Sequence, residues 1–307
     1  MHHGAAWTSE KRKRSVQKRR ETRFVVVWLT PIMVVFALFS ILPVFWGIGL
    51  SFFNYSALSV HNPFTGLANY QRILRDPLVL KAIGNTFQFV LIAVPANLLS
   101  TLVIAMGVNA VRSRVLKNTL RTLFFLPTIA PVAGAALIWS TMYNLNGGLF
   151  NEILGFLSIG PIKWLGNPNI AMLSVILTTL WADVGYNIVI FMAGLDAIPD
   201  VFYEAARMDG ARRWYLLRRV TLPLLSRTTL FVTVMTVISY FQMFTQVQVM
   251  TNGDPQNATR VLTLHIYTAA FQYMDMGYAS TMATTLLVIT FVISLVQLRI
   301  GRSRWEY

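Results

Sequence analysis

The sequence has no cysteine, four histidines and few charged residues for its length. The absence of cysteine excludes a disulfide scaffold, a thiolate metal site and a cysteine nucleophile. Four histidines, of which His2 and His3 are adjacent, are too few to favour a histidine-built metal centre. Charged residues make up 12% of the 307 residues and hydrophobic ones 55%, whereas an ordinary soluble domain has about 25% charged residues. This composition is typical of a protein that lies in lipid.

Six runs of mostly apolar residues are each long enough to cross a bilayer, which takes about 20 helical residues. The first run is too long for the apolar part of a secretory signal and lacks a small-residue cleavage site, so we expect a retained span. The sequence therefore predicts an all-α integral membrane protein with six transmembrane helices. The predicted spans cover residues 24–52, 83–111, 122–143, 170–195, 228–250 and 280–300.

The formal net charge of +14 is distributed unevenly between the two sides of these spans. Six spans place both termini on one side, which carries 21 of the 26 Lys and Arg residues. Because Lys and Arg are enriched in cytoplasmic segments, both termini are predicted to be cytoplasmic. This topology explains the positive charge without a nucleic-acid partner, while the basic N-terminal tail is suited to contact anionic membrane lipid.

The predicted organisation is a basic cytoplasmic tail (1–23), a six-span membrane domain (24–300) and a short cytoplasmic C-terminus (301–307). One cytoplasmic loop, at residues 196–223, is about three times as long as the other. We name this segment the coupling loop, for the role that its sequence pattern implies below.

Two short helices are predicted in the coupling loop. Pro199 and Asp200 predict the start of the first, with Asp200 as its N-cap, and Gly210 predicts its end. The second is predicted over about 211–219, with a break at Pro223 before the fifth span.

The first of these helices carries an apolar stripe, because Val201, Ala205 and Met208 recur at helical spacing. Two interpretations remain open from the residues alone. The helix either inserts into the groove of a partner protein, where Glu204 accepts a charge-assisted hydrogen bond, or lies on lipid headgroups.

The coupling loop reads Glu204-Ala205-Ala206, then Gly210 after three residues, then Val220-Thr221-Leu222-Pro223 after nine more. This pattern resembles the cytoplasmic signature of the membrane subunits of binding-protein-dependent ABC importers. The flanking residues 193–199 and 208–211 resemble the carbohydrate-importing branch, which includes the maltose channel subunits. The resemblance implies a type I importer permease fold and ATPase coupling through Glu204, Ala205, Ala206, Asp209, Gly210, Leu222 and Pro223.

The same resemblance implies a set of partners. They are a second permease subunit, expected to be a paralogue, two ATPase subunits on the cytoplasmic side and an extracytoplasmic sugar-binding protein. The chain has no glycine-rich phosphate-binding loop, so ATP and Mg²⁺ are expected on the ATPase and no cofactor on this chain. The expected location is the bacterial plasma membrane.

Polar residues inside the fourth and fifth spans predict a solute pathway. A charged residue in a span costs about 2.5–3.5 kcal/mol on insertion scales, so the presence of Asp183 in the fourth span requires an explanation. Tyr186 and Asn187 lie on the same helix face as Asp183. The alternative is hydrogen bonding between helices. The candidate pathway residues are Asp183, Tyr186, Asn187, Ser239, Tyr240, Gln242 and Met243.

The family resemblance supports one of these residues individually, since the maltose channel subunit has a sugar-contacting tyrosine at the position of Tyr186. The other positions differ from that subunit, so the resemblance does not identify the sugar. Asp183 favours a hydroxyl-rich or cationic solute over an anionic one.

Other functions are less well supported by the residues. No Ser/His/Asp set, His-Glu-x-x-His motif or pair of carboxylates on one predicted face indicates an enzyme, and no metal site is expected. The alternatives that remain are a permease of the same family for a polyol or glycerophospho-compound, and a membrane scaffold without transport activity.

Overall fold

The computed structural model describes residues 24–301, which form helices joined by turns and one antiparallel bridge between Phe53 and Phe64. The predicted tail at 1–23 and the C-terminal residues 302–307 lie outside the described residues. In chain order the helices are α1 (Phe24–Leu50), α2 (Ala68–Arg75), α3 (Pro77–Asn109), α4 (Arg114–Ile129), α5 (Val132–Met142), α6 (Leu149–Phe156), α7 (Ala171–Asp196), α8 (Asp200–Met208), α9 (Arg213–Leu224), α10 (Ser226–Phe241), α11 (Thr245–Met250), α12 (Leu262–Tyr267) and α13 (Met276–Ile300). Turns of π-helix occur at Ala37–Ile41 in α1, Leu217–Thr221 in α9 and Thr268–Gln272 after α12.

Four helices are continuous and apolar enough to cross a membrane: α1, α3, α7 and α13. Two of them begin earlier than their hydropathy predicts, because an aspartate caps each N-terminus. The carboxylate of Asp76 accepts hydrogen bonds from the backbone N–H groups at the start of α3, and Asp275 does the same for α13. The two capped N-termini therefore lie a few residues before the predicted starts of these spans.

The third and fifth predicted spans are not straight single helices. The third is broken into α4 and α5, which meet at 94° around Pro131, a residue without a backbone N–H. The fifth ends as a helix at Phe241, and the chain resumes as α11 only at Thr245. By length and composition the described residues hold four spanning helices, or six if each bent pair is one span.

The interior of the described chain contains two buried apolar clusters along α3, α7 and α10, and the first of them also includes residues of α13. One contains Phe89, Phe241 and Met282, and the other contains Ile188 and Phe191. By contrast, α1 has no buried residue within the described chain, so its apolar side chains face outward.

One glycine determines how closely α4 approaches α7. A Cβ atom at Gly185 would overlap the carbonyl oxygen of Phe124, and it would also lie 2.9 Å from the hydroxyl of Thr128. Only a residue without a side chain fits here. The close approach brings Thr128 on α4 next to the polar stretch of α7.

Candidate functional site

The first helix of the coupling loop, α8, begins where the sequence predicts but with a different cap. Pro199 occupies the N-cap position in an extended conformation, and Asp200 is the first helical residue. The prediction of Asp200 as N-cap is therefore wrong by one position. In the first turn its carboxylate still interacts favourably with the positive end of the helix dipole.

The end of α8 is confirmed at Gly210, which adopts a positive φ of 78°. The Gly210 N–H donates to the Arg207 carbonyl at 2.9 Å, and the Ala211 N–H donates to the Ala206 carbonyl at 3.0 Å. This pair of bonds is the Schellman motif, in which a left-handed residue satisfies the last carbonyls of a helix. A glycine is favoured here by its backbone conformation, since the space around its Cα is open.

One side of α8 is anchored and the other is open. The Tyr203 hydroxyl lies 3.2 Å from the Thr221 hydroxyl on α9, and its ring packs against the buried cluster around Ile188. Val201 and Met208, which belong to the predicted apolar stripe, are 62% and 88% exposed. Glu204 and Ala205 are exposed and Ala206 is half-buried.

The second helix of the coupling loop is longer than predicted. Pro223 does not end it: α9 runs from Arg213 to Leu224, and the 64° bend follows at Leu225. The π-helical turn Leu217–Thr221 ends two residues before Pro223, so the backbone hydrogen-bonding pattern is already shifted close to the position where the proline N–H is missing. Asp209 and Leu222 are exposed, and Pro223 is half-buried.

A cavity of about 260 Å³ lies between α4, α7 and α10. It contains five of the seven predicted pathway residues, which meet because Asp183, Tyr186 and Asn187 project from α7 toward Ser239 and Tyr240 on α10. Tyr186 is 50% exposed. The lining residues are Thr128, Asp183, Tyr186, Asn187, Met235, Thr236, Ser239 and Tyr240.

The two remaining predicted residues, Gln242 and Met243, do not line this cavity. They follow the end of α10 at Phe241, where the chain turns away. Gln242 is exposed. Met243 is buried, with its sulfur next to the Thr179 hydroxyl and its carbonyl accepting a hydrogen bond from Thr263. The prediction placed them on the pathway by treating 228–250 as one unbroken helix.

Sequence reasoning missed three lining residues. Met235 and Thr236 precede Ser239 and Tyr240 by one helical turn, so the four-residue spacing could have identified them. Thr128 had no comparable signal, because only the packing at Gly185 brings it to the cavity.

A buried hydrogen-bond network supports the cavity wall. The side-chain nitrogen of Asn187 donates to the Asn97 side-chain oxygen at 2.7 Å and to the Thr236 hydroxyl at 3.1 Å. The side-chain nitrogen of Asn97 donates to the Tyr240 hydroxyl at 2.9 Å, and Tyr240 in turn interacts with the Asp183 carboxylate. Asn97, on α3, is fully buried and was also missed.

The electrostatics of the cavity are simple. Among the described residues that line it, Asp183 is the one with a formal charge, and the others are hydroxyl, amide or apolar groups. Within residues 24–301, no three His, Asp or Glu side chains come together in a way that could hold a metal ion. The arrangement can bind a solute through hydrogen bonds and an aromatic face.

Comparison with known proteins assigns the chain to a family. The family described as "binding-protein-dependent transport system inner membrane component" matches residues 96–305. A probable ABC transporter permease protein of Bacillus subtilis is 34% identical over 91% of this chain and 96% of the relative. The permease protein of a trehalose/maltose transport system of Thermococcus litoralis is 31% identical over 94% of this chain and 96% of that protein.

The fold is also that of a solved structure, a bacterial alginate ABC transporter in complex with an alginate pentasaccharide-bound periplasmic protein. The likeness has a TM-score of 0.82 at 20% identity and covers 93% of this chain and 96% of that chain. The chain therefore belongs to the binding-protein-dependent transport system inner membrane components, which are multi-pass plasma-membrane permease subunits of ABC importers and not enzymes.

Proposed function

We propose that the chain is one of two permease subunits of an ATP-driven importer for a sugar or oligosaccharide, with six spans and both termini in the cytoplasm. The observation that carries this proposal is the open face of α8. It ends in a left-handed glycine and presents Val201, Glu204, Ala205 and Met208 to the surroundings. Small and apolar residues beside one carboxylate suit a protein groove.

The charges of the coupling loop favour this docking over adsorption of α8 to lipid. A helix that lies on anionic headgroups carries Lys and Arg on its polar face, whereas α8 carries two acids and one arginine. The residue types typical of a helix on the membrane surface, arginine and exposed aromatic residues, occur instead on α9. There Trp214 and Tyr215 are exposed beside Arg213, Arg218 and Arg219. We infer that α8 enters a groove of the ATPase and that α9 lies along the membrane surface.

The coupling follows from rigid-body movement. When two ATPase subunits close on ATP and Mg²⁺, the α8 helices of the two permeases move with them, and α9 transmits that movement through its bend into α10. Because α10 forms one wall of the cavity, closure of the ATPase changes the access of solute to the pathway.

The cavity supports a sugar as the solute. Sugars present hydroxyl groups that donate and accept hydrogen bonds and an apolar ring face that packs on aromatic rings. Ser239, Tyr186 and Asp183 offer such groups to the cavity. Hydrogen bonding between helices accounts for Asn97, Asn187 and Thr236, but it leaves the exposed Tyr186 and Ser239 unexplained. The relative named for trehalose and maltose transport points the same way.

The alternative solutes differ in how well they fit. A polyol shares the hydroxyl chemistry of a sugar and fits the same groups. A glycerophospho-compound needs a cationic partner for its phosphate, and the described cavity lining contains no Lys or Arg. An extracytoplasmic binding protein would deliver the solute; the solved alginate transporter is in complex with a periplasmic protein that has an alginate pentasaccharide bound.

Co-purification tests the proposal directly. A tagged copy is expressed in its native host, extracted gently, and its companions are identified by mass spectrometry. We expect a second permease and an ATPase, and we expect the purified complex in liposomes, with its binding protein, to take up sugar when ATP is supplied. A chain that comes out alone, or a complete complex without sugar uptake, would contradict the proposal.

A further inference from the structure

We propose that Asp183 is a charge filter: its carboxylate lets the cavity accept neutral and cationic sugars and exclude acidic ones. This inference rests on the proposed transport function and deepens it by naming the class of sugar. It depends on where the carboxylate lies, how its hydrogen bonds are directed and how far the nearest cations are.

The carboxylate faces the cavity in a wall of neutral groups. Asp183 lines the space together with Tyr186 of its own helix and with Ser239 and Tyr240 of α10. A solute that passes between α7 and α10 therefore meets one negative charge, and the described lining provides no positive charge to neutralise it.

The direction of the hydrogen bonds leaves the carboxylate as an acceptor. Asn97 donates to the Tyr240 oxygen, so the Tyr240 proton is free to point toward Asp183. An ionised carboxylate has about four lone-pair positions, and the Tyr240 hydroxyl can occupy at most one of them. The remaining positions can accept hydrogen bonds from sugar hydroxyls or from an ammonium group, but they have nothing to offer a second carboxylate.

The basic residues of the three surrounding helices are distant along their axes. On α4 the last one, Arg121, lies seven residues before Thr128, or about 10 Å at 1.5 Å per residue. On α10, Arg227 lies eight residues before Met235, about 12 Å away, and α7 has no basic residue. No nearby cation therefore offsets the repulsion between Asp183 and the negative charge of an acidic solute. At an effective dielectric constant near 20, this repulsion between two charges in contact lowers the occupancy of the cavity by the acidic solute by more than about tenfold.

The complete absence of cysteine from the sequence makes a clean experiment possible. Ser239→Cys places one thiol in the cavity, and Ser59→Cys places a matched thiol on an exposed outer loop. In the full transporter complex, each is treated with a cationic (trimethylammonium-ethyl) or an anionic (sulfonato-ethyl) methanethiosulfonate. The reaction is followed by the mass of this chain.

We expect the ratio of cationic to anionic reaction rates at Ser239→Cys to exceed that at Ser59→Cys by about tenfold or more. Adding Asp183→Asn should bring the two ratios together, whereas Asp183→Glu should preserve the difference. If the amide variant fails to assemble, Asp183→Ser serves for the same comparison. A ratio that Asp183→Asn leaves unchanged, or a cavity thiol that neither reagent reaches with or without ATP, would overturn the charge filter.

Uptake by the same complexes separates this inference from the proposed function. If the wild-type complex imports the sugar that its binding protein delivers but the cavity thiol of Ser239→Cys shows no charge preference, the filter is wrong and the transport function stands. If the wild-type complex imports no sugar, the transport function itself is wrong, and the charge filter for sugars falls with it.

Discussion

The coupling loop and the cavity are built in opposite ways. The coupling loop is continuous in sequence, from residue 196 to 223, and its α8 helix has no buried residue. The cavity draws side chains from α4, α7 and α10, and its supporting network adds Asn97 from α3. A change on the exposed face of α8 should therefore remove function without affecting the fold, whereas a change behind the cavity should affect stability first.

This difference follows from what each side chain contacts. An exposed side chain contributes little to folding, so its substitution changes stability by about 0.5 kcal/mol or less. A buried polar group that loses its partner costs about 1–3 kcal/mol. The four substitutions below test the comparison.

The largest effect is expected for Glu204→Lys. The change removes the acceptor of a charge-assisted hydrogen bond and introduces a cation into the proposed ATPase groove, so sugar uptake should fall by about 100-fold or more. Uptake in the native host and the amount of co-purified ATPase measure the loss. The thermal midpoint of the chain should not change, because Glu204 is exposed. The same change at Glu152, exposed on α6, is the control, and equal losses at both positions would contradict the coupling assignment.

The next effect is expected for Gly210→Val. A residue with a side chain costs about 1–2 kcal/mol in the left-handed conformation that Gly210 adopts, and a β-branched residue such as valine is the least tolerated. The C-terminal end of α8 should therefore change its conformation, and uptake should fall by about tenfold. ATPase association in detergent measures the effect. Gly107→Val is the matched control, because that glycine is helical and has open space around it. Normal association of the Gly210 variant would show that the Schellman end is not required.

A smaller effect, and one on stability, is expected for Asn97→Leu. The change leaves a donor of Asn187 and the Tyr240 hydroxyl without their partner, which should lower the free energy of unfolding by about 1–2 kcal/mol. The thermal midpoint measured by tryptophan fluorescence should fall. Asn169→Leu, in an exposed turn, should leave it unchanged. If the two variants melted alike, the network would have no structural role.

The smallest effect is expected for Tyr186→Phe, which keeps the ring and removes the hydroxyl from the cavity. Loss of one net hydrogen bond, about 0.5–1.5 kcal/mol, should raise the sugar concentration for half-maximal uptake by about three- to tenfold. Initial uptake rates across a concentration series measure this shift. Tyr273→Phe, at an exposed position away from the cavity, should not produce it. An unchanged concentration dependence for Tyr186→Phe would move the sugar site elsewhere.

Much of the fold could be predicted because membrane spans are contiguous and carry their own signal. The all-helical class, α8 and its end at Gly210 required only apolar periodicity and the conformational freedom of one glycine. The break at the end of α10 could not be located in this way. The turn after Phe241 lies in an apolar run, so Gln242 and Met243 were predicted to line the pathway together with Ser239 and Tyr240.

The sequence by itself determined the helical class, the family signature of the coupling loop and the polar residues in the fourth and fifth spans, because each of these is encoded by neighbours along the chain. The tertiary structure decided which polar residues face the same space. Thr128 reaches the cavity because Gly185 lets α4 approach α7, and Asn97 supports Asn187 and Tyr240 from α3. Contacts between residues 50 or 90 positions apart depend on how helices pack, and local sequence patterns do not encode them.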